Sequence, residues 1–288
     1  MPPIPSFAGR NRPCVPTPGA GNRLHLSAAS GAVSMDAAGH AAVLWLVLRG
    51  QVDVSACEGE FVLGPGDWIS LTGDSAPRAL GRAGTLLLGV GVAPGVAVES
   101  GLLFPARGRM PPRARGQALR IWRSCGAFDG AAMLDAPDEV PAFLAALQAD
   151  LADRIGRCPG HSERRKRQVL LRMQRARLCL EGQVDGGLRI GELAQRIHFS
   201  PWYFSKLFQA LYGIGPLQFS ARMRLERARR LLATTAMPVT EVSAACGFDN
   251  PCSFARAFRA RFGTTASDYR LRHARGGDAA VACAWSVR

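Results

Sequence analysis

No run of residues in this chain is long and apolar enough to cross a membrane. A spanning helix needs about 20 such residues, and the longest apolar stretch, residues 83–98, is interrupted by glycines and Pro94. The first 22 residues hold no apolar core of the kind a signal peptide needs; prolines among glycines and arginines read as a flexible tail. Histidine is scarce, with five in 288 residues, and only His25 and His40 precede residue 160. They stand far apart in sequence and outside any paired motif, whereas Fe, Mn or Zn in a small β-barrel calls for closely spaced imidazoles with a carboxylate. The eight cysteines (Cys14, Cys57, Cys125, Cys158, Cys179, Cys246, Cys252, Cys283) are scattered without metal spacing. Without an export signal they are expected as reduced thiols in a cytoplasm. No Ser/His/Asp arrangement and no phosphate-cradling glycine loop emerges either. The expectation is a cytoplasmic protein that is not an enzyme, holds no metal and no cofactor, and touches no membrane.

Acidic residues are also few, and unevenly placed. The chain carries 36 Lys and Arg against 22 Asp and Glu, a net charge of +14. From His161 to Arg288 there are 22 basic and 9 acidic residues, net +13, which leaves +1 for residues 1–160. A surplus confined to one half is the footprint of a polyanion partner. No aromatic-rich apolar face lies beside the arginines, which speaks against a membrane surface.

What the basic half does contain is a repeat. Ser200-Pro201-Trp202-Tyr203-Phe204-Ser205-Lys206-Leu207-Phe208 is matched by Asn250-Pro251-Cys252-Ser253-Phe254-Ala255-Arg256-Ala257-Phe258. Each copy opens with a capping Ser or Asn and a first-turn proline. Each runs on to an aromatic-glycine stop, Tyr212-Gly213 and Phe262-Gly263. Upstream, Ile190, Leu193, Ala194 and Ile197 keep helical spacing, as do Val239, Val242, Ser243 and Cys246. A short helix, a tight turn and a capped second helix describe a helix-turn-helix unit, whose second helix enters a DNA major groove. Two such units in tandem imply double-stranded DNA as partner. Residues 216–232, with Leu225, Ala228, Leu231 and Leu232 on one stripe, read as a rigid helix holding the units at fixed spacing.

In the first unit Tyr203, Phe204, Leu207, Phe208 and Leu211 form the apolar stripe. That turns Trp202, Ser205, Lys206 and Gln209 outward, where they can meet base edges and phosphates. The second unit presents Cys252, Ala255, Arg256 and Arg259, with fewer base-reading groups and more charge. Cys252 is read as a small surface residue, with a redox switch at a helix start as the alternative.

Residues 188–273 resemble the DNA-binding domain of the AraC/XylS family of bacterial transcription regulators. Leu193-Ala194, Ser200, Phe204, Leu207-Phe208, Gly213, Arg224-Leu225, Ala228, Leu231-Leu232, Gly247-Phe248, Phe254, Arg256, Phe258, Phe262-Gly263 and Tyr269-Arg270 carry the resemblance. Ser243 stands where the family usually has Ala, Ala266 where it usually has Pro, and Pro251-Cys252 replace a polar pair. The resemblance implies a regulator that more often activates than represses, works with RNA polymerase, answers to a small-molecule effector and forms a homodimer. Control by abundance or a protein partner is the alternative. A metal-free cupin with incidental DNA contact is the reading from another class.

The near-neutral half reads differently. Residues 42–48, 51–55, 60–63, 68–72 and 85–92 are short apolar or alternating runs punctuated by glycine and proline, as in a β-barrel or sandwich. Val47 to Val54, followed by Leu63-Gly64-Pro65-Gly66-Asp67-Trp68, resembles the cupin sensor domain found ahead of AraC-type heads. Val140, Phe143, Leu144, Leu147, Leu151 and Ile155 predict one helix, and residues 162–181 a second. The resemblance implies that such a helix pairs two subunits; packing of both helices on the barrel is the alternative. The expected fold class is α+β and multidomain. A flexible tail (1–22) precedes a cupin-like β-barrel or sandwich (23–135). A helical linker or dimerisation segment (136–181), an all-α DNA-binding domain with two helix-turn-helix units (182–275) and a second tail (276–288) follow.

Overall fold

The computed structural model describes residues 24–37, 39–94, 103–124, 134–183 and 189–274. The two expected tails and Leu188 lie outside them. The chain divides into two compact units, Met1–Arg175 and Ala176–Arg288.

The first unit is a curled antiparallel sheet of eight strands among the described residues: β1 (Leu24–Asp36), β2 (Ala42–Arg49), β3 (Val52–Ala56), β4 (Gly59–Leu63), β5 (Asp67–Thr72), β6 (Arg78–Val92), β7 (Ala106–Arg109) and β8 (Leu134–Asp135). The order is β4-β3-β6-β2-β5-β7, with β1 along the other edge of β6 and β8 beyond β1. β6 is long enough to pair with β3 through its first residues and with β2 through its last. The β1–β6 ladder shifts register between Gly31 and Val33, where Gly31 takes a φ of 92°. A bulge there bends the strand pair and curls the sheet. Gly64-Pro65-Gly66-Asp67 forms a turn in which the Asp67 N–H donates to the Gly64 carbonyl (3.0 Å) and the Gly64 N–H to Asp67 Oδ2 (2.9 Å). Gly66, at φ 88°, supplies the left-handed position such a turn demands.

Two features depart from the sequence reading. The segment 23–135, expected as a cupin-like β-barrel or sandwich, also contains a helix, α1 (Pro112–Ser124), which buries Ala118 and Ile121. The single helix expected over 139–155 is two, α2 (Glu139–Leu147) and α3 (Ala149–Ile155). The break falls at Gln148, whose side chain turns to the backbone of Phe104. Its Nε2 donates to the Phe104 carbonyl (2.8 Å) and its Oε1 accepts from the Phe104 N–H (3.0 Å). A buried amide that finds both partners off the helix axis outweighs one more helical bond.

The boundary between the units falls inside α4 (Glu163–Gly182). Before it, Arg175 reaches the buried Glu58 (3.3 Å) and Asp74 (2.8 Å), and the Ser75 hydroxyl donates to Glu58 (2.6 Å). Partial burial pushes the Asp74 pKa up, yet the Thr72 hydrogen bond and the Arg175 charge outweigh it and hold the carboxyl below its ordinary range.

The second unit is all helix among its described residues: the end of α4, then α5 (Ile190–Arg196), α6 (Pro201–Tyr212), α7 (Pro216–Thr234), α8 (Val239–Ala245), α9 (Pro251–Phe262) and α10 (Ala266–Ala274). Leu225, Ala228 and Leu232 of α7 pack with Val242, Cys246, Phe254 and Phe258 in one buried cluster. The stripe expected on the connecting helix is therefore the wall of the second helix-turn-helix core.

Candidate nucleic-acid interface

α5–α6 and α8–α9 are the two expected helix-turn-helix units, and their correspondence is residue by residue. α6 and α9 are each twelve residues long, with proline at the first turn. The Ser200 hydroxyl accepts from the Tyr203 N–H (3.3 Å), and Asn250 Oδ1 accepts from the Cys252 N–H (2.8 Å). Gly213 (φ 76°) and Gly263 (φ 70°) end the two helices in the left-handed region. The turns match as well. The Phe199 N–H donates to the Ala194 carbonyl (2.9 Å) and the Phe248 N–H to the Ser243 carbonyl (3.1 Å). The residue before each Phe is left-handed, His198 at φ 58° and Gly247 at φ 68°. Between α5 and α8 the repeat offset is 49, and between α6 and α9 it is 50, because the second turn carries one extra residue, Asp249.

The inner faces repeat an aromatic stack. Phe208 meets Phe204, Tyr212 and Phe219, and Phe258 meets Phe254, Phe262 and Tyr269 at corresponding positions. Arg177 from the end of α4 lies over Tyr212 (5.2 Å) and Phe219 (5.5 Å), as Arg229 from α7 lies over Phe262 (5.8 Å). Ala266 is buried at the place in the second unit that buried Pro216 takes in the first.

The outer faces differ in chemistry. Trp202 is 66% exposed, so its indole is a surface group and not core. Lys206 Nζ sits 4.4 Å from its ring centre; a cation on an indole face makes a contact of about 0.5–1 kcal/mol at exposed sites and steadies both side chains. Gln209 is exposed and Ser205 half-buried, its hydroxyl donating to the Pro201 carbonyl (2.8 Å). On α9, Cys252, Ala255, Arg256 and Arg259 are all exposed. All eight expected residues thus lie on the outward faces of the two second helices.

Sequence reasoning missed the residues that hold the second head from behind. Arg224 of α7 donates through Nη1 to the Gly247 carbonyl (2.7 Å), and its guanidinium lies over the Phe248 ring at 4.9 Å. Glu226, one turn or less along α7, pairs with Arg229 (2.9 Å) and with Arg261 of α9 (3.5 Å). An arginine on a core-facing helix beside an aromatic turn residue is the signal that was there to read. His25 and His40, distant in sequence, meet across the curled sheet with ring centres 5.6 Å apart. Among the described residues, no group of three or more His, Cys, Asp or Glu side chains is suited to hold a metal ion. No described helix is long and apolar enough to cross a membrane.

Residues 193–272 match a family described as a helix-turn-helix domain. Over 89 residues the chain is 39% identical to an HTH-type transcriptional regulator of Mycobacterium tuberculosis, covering 31% of this chain and 34% of that one. Over 218 residues it is 29% identical to the HTH-type transcriptional regulator CdhR of Pseudomonas aeruginosa, covering 67% of this chain and 65% of that one. The crystal structure of a probable AraC family transcriptional regulator from Rhodopseudomonas palustris is 30% identical, with 35% of this chain and 96% of that one covered and a TM-score of 0.34. The chain spans 34% and 65% of the lengths of the two curated relatives. Over residues 193–272 the chain thus carries a helix-turn-helix domain, similar in sequence to those of HTH-type transcriptional regulators.

Proposed function

We propose that this protein is a sequence-specific DNA-binding transcription regulator of the AraC/XylS type, reading two adjacent major-groove segments of one duplex with α6 and α9. The observation that carries this reading is the duplication of a capped twelve-residue helix whose outward face exposes basic side chains in both copies, Lys206 on one and Arg256 and Arg259 on the other. Heads on one face of DNA sit about one helical turn, roughly 34 Å, apart. α7, with 19 residues, is about 28 Å long and bridges most of that span. The charge surplus of the same half supports a polyanion partner, and the names of the two curated relatives support transcriptional regulation.

The finer reading follows the family resemblance. The protein acts in the cytoplasm as a homodimeric activator alongside RNA polymerase, and its N-terminal unit is a cupin-like sensor for a small effector. Helices α2 to α4, in the segment 136–181, pair the subunits. The eight outward residues of α6 and α9 contact the duplex, the first head reading bases and the second adding phosphate-directed affinity. The test is a pull-down of host genomic DNA with sequencing, followed by competition titration of the recovered operator against scrambled duplex at two salt concentrations. A recovered consensus with affinity falling steeply as salt rises is expected. Affinity that does not change with salt, or the absence of any enriched sequence, sinks the reading.

A further inference from the structure

We propose that Arg224 is the positioning residue of the second head, fixing the angle at which the N-terminal half of α9 meets DNA. The inference rests on the reading of both heads as DNA-binding. α7 is the ruler of this unit, and beyond the shared apolar cluster it holds the second head by side-chain contacts in two places. Near the C-terminal end of α9 the grip is Glu226 on Arg261 (3.5 Å) and Arg229 over Phe262 (5.8 Å). Near the N-terminal end the polar grip runs through Arg224, which acts on the turn and not on α9 itself. One planar guanidinium does two things at once there. It donates to the carbonyl of the left-handed Gly247 (2.7 Å) and it covers the ring of Phe248 (4.9 Å). Phe248 in turn meets Phe254 of α9 edge-on at 5.2 Å, so the orientation of the guanidinium passes to the helix through two aromatic rings.

The turn of the first head has a contact of its own. Its turn residue Phe199 packs on Tyr203 of the same unit, at 5.4 Å, and α6 runs through Gly213 into the start of α7. α6 joins the ruler through residues 213–215 alone, whereas the path from the ruler to α9 runs through α8 and its turn, and the clasp holds that longer path. The extra residue in the second turn, Asp249, lengthens the segment that the clasp must hold. Arginine suits the task better than lysine. A fork and a flat face together define an angle, whereas an ammonium defines only a distance. Losing the clasp leaves the C-terminal grip intact, so the N-terminal half of α9, with Cys252, Ala255 and Arg256, swings about its other end.

The consequence is a change in spacing tolerance. One inserted base pair between the two half-segments moves them apart by about 3.4 Å and rotates them by roughly 35°. The experiment uses the full chain and the operator recovered from genomic DNA, with zero, one and two base pairs inserted at its centre. Wild type, Arg224→Met, Arg224→Lys and Phe258→Leu are compared. The last is a core variant that lowers stability but leaves the guanidinium contacts of Arg224 with Gly247 and Phe248 in place, and thermal melting ranks all four. Wild type is expected to lose about ten-fold or more in affinity per inserted pair, and Arg224→Met no more than about three-fold. Arg224→Lys, which keeps the donor and loses the flat face, should fall between and covers the case in which the methionine variant does not fold. Phe258→Leu should keep the wild-type profile. If wild type shows the spacing penalty and both Arg224 variants show it undiminished, the positioning role is overturned and the two-headed reading stands. If wild type itself tolerates insertions, the two-headed reading falls and this role with it.

Discussion

On the proposed reading, Gln209 is the side chain that discriminates bases. It is exposed on the outer face of α6, and a carboxamide offers a donor and an acceptor to an adenine edge together. Gln209→Ala should therefore reduce the preference for operator over scrambled DNA by about 1–3 kcal/mol, read by competition titration. Ser205 is expected to matter less. Its hydroxyl proton is committed to the Pro201 carbonyl, which leaves it only an acceptor to offer a duplex, and Ser205→Ala should cost under about 1 kcal/mol of preference. Arg259→Ala, on the charged face of α9, should weaken both duplexes nearly equally and lower the salt slope by about one. If Arg259→Ala erases operator preference and Gln209→Ala leaves it intact, the roles of the two heads are reversed. The cysteines offer an independent reading of the same surface. Burial pushes the thiols of Cys246 and Cys158 up to about 11, whereas Cys57 and Cys252 are exposed. Alkylation of the native protein at neutral pH, followed by peptide mass spectrometry, should label Cys57 and Cys252 well before Cys158 and Cys246, because burial withholds both access and thiolate from the second pair.

Among the elements, α6 and α9 owe their boundaries to single residues that the sequence displays openly. A Ser or Asn before proline and a glycine after an aromatic are local signals, and both helices begin and end where those signals stand. Ser200→Ala and Asn250→Ala should each cost about 0.5–2 kcal/mol, measured by urea or thermal unfolding. Gly247→Ala should cost about 1–2 kcal/mol, since φ is 68° there and an L side chain crowds its own carbonyl. The strands that alternate cleanly, such as β3 and β4, were equally legible. β1 was not, because its Ser and Ala residues are weak strand formers and Gly31 breaks its pattern at the bulge. The Gln148 break was hidden because the apolar stripe runs straight through it, Leu147 and Leu151 both being buried. Only the partner backbone at Phe104, 44 residues away, reveals why the helix stops. The Arg175 clasp on Glu58 and Asp74 was illegible for the same reason, as ion pairs across 101 and 117 residues leave no local trace. Its pH dependence has a definite sign. Asp74 is held below the ordinary carboxylate range in the folded state, so its contribution is complete above the unfolded value and is lost as pH falls through the folded one. The difference in melting temperature between wild type and Asp74→Asn should therefore persist at neutral pH and shrink below about pH 4.

At the scale of the whole molecule, the charge segregation and the place of the unit boundary make one joint prediction about where the DNA-binding part starts. The boundary lies at Arg175/Ala176, six residues before residue 182, where the DNA-binding domain was expected to start. Those residues matter to the second unit. Ala176, Leu178 and Leu180 are buried, Arg177 covers Tyr212 and Phe219, and Arg177 pairs with Glu181 at 2.9 Å. A fragment 182–275 loses all of these, while 163–275 keeps α4 whole. Burying side chains of this size contributes about 1.5–3 kcal/mol for each leucine, so the longer fragment should melt distinctly higher than the shorter. Both retain the outward faces of α6 and α9, so both should bind operator where folded. Residues 1–160 carry a net charge of only +1 against +13 for the remainder. Since counterion release follows the phosphates neutralised, the slope of log affinity against log salt for 163–275 should lie close to that of the full chain, compared per DNA-bound subunit. A full-length slope steeper by several units would assign phosphate contacts to the first unit and overturn the division of labour. Equal melting temperatures for the two fragments would show instead that the end of α4 is dispensable to the heads.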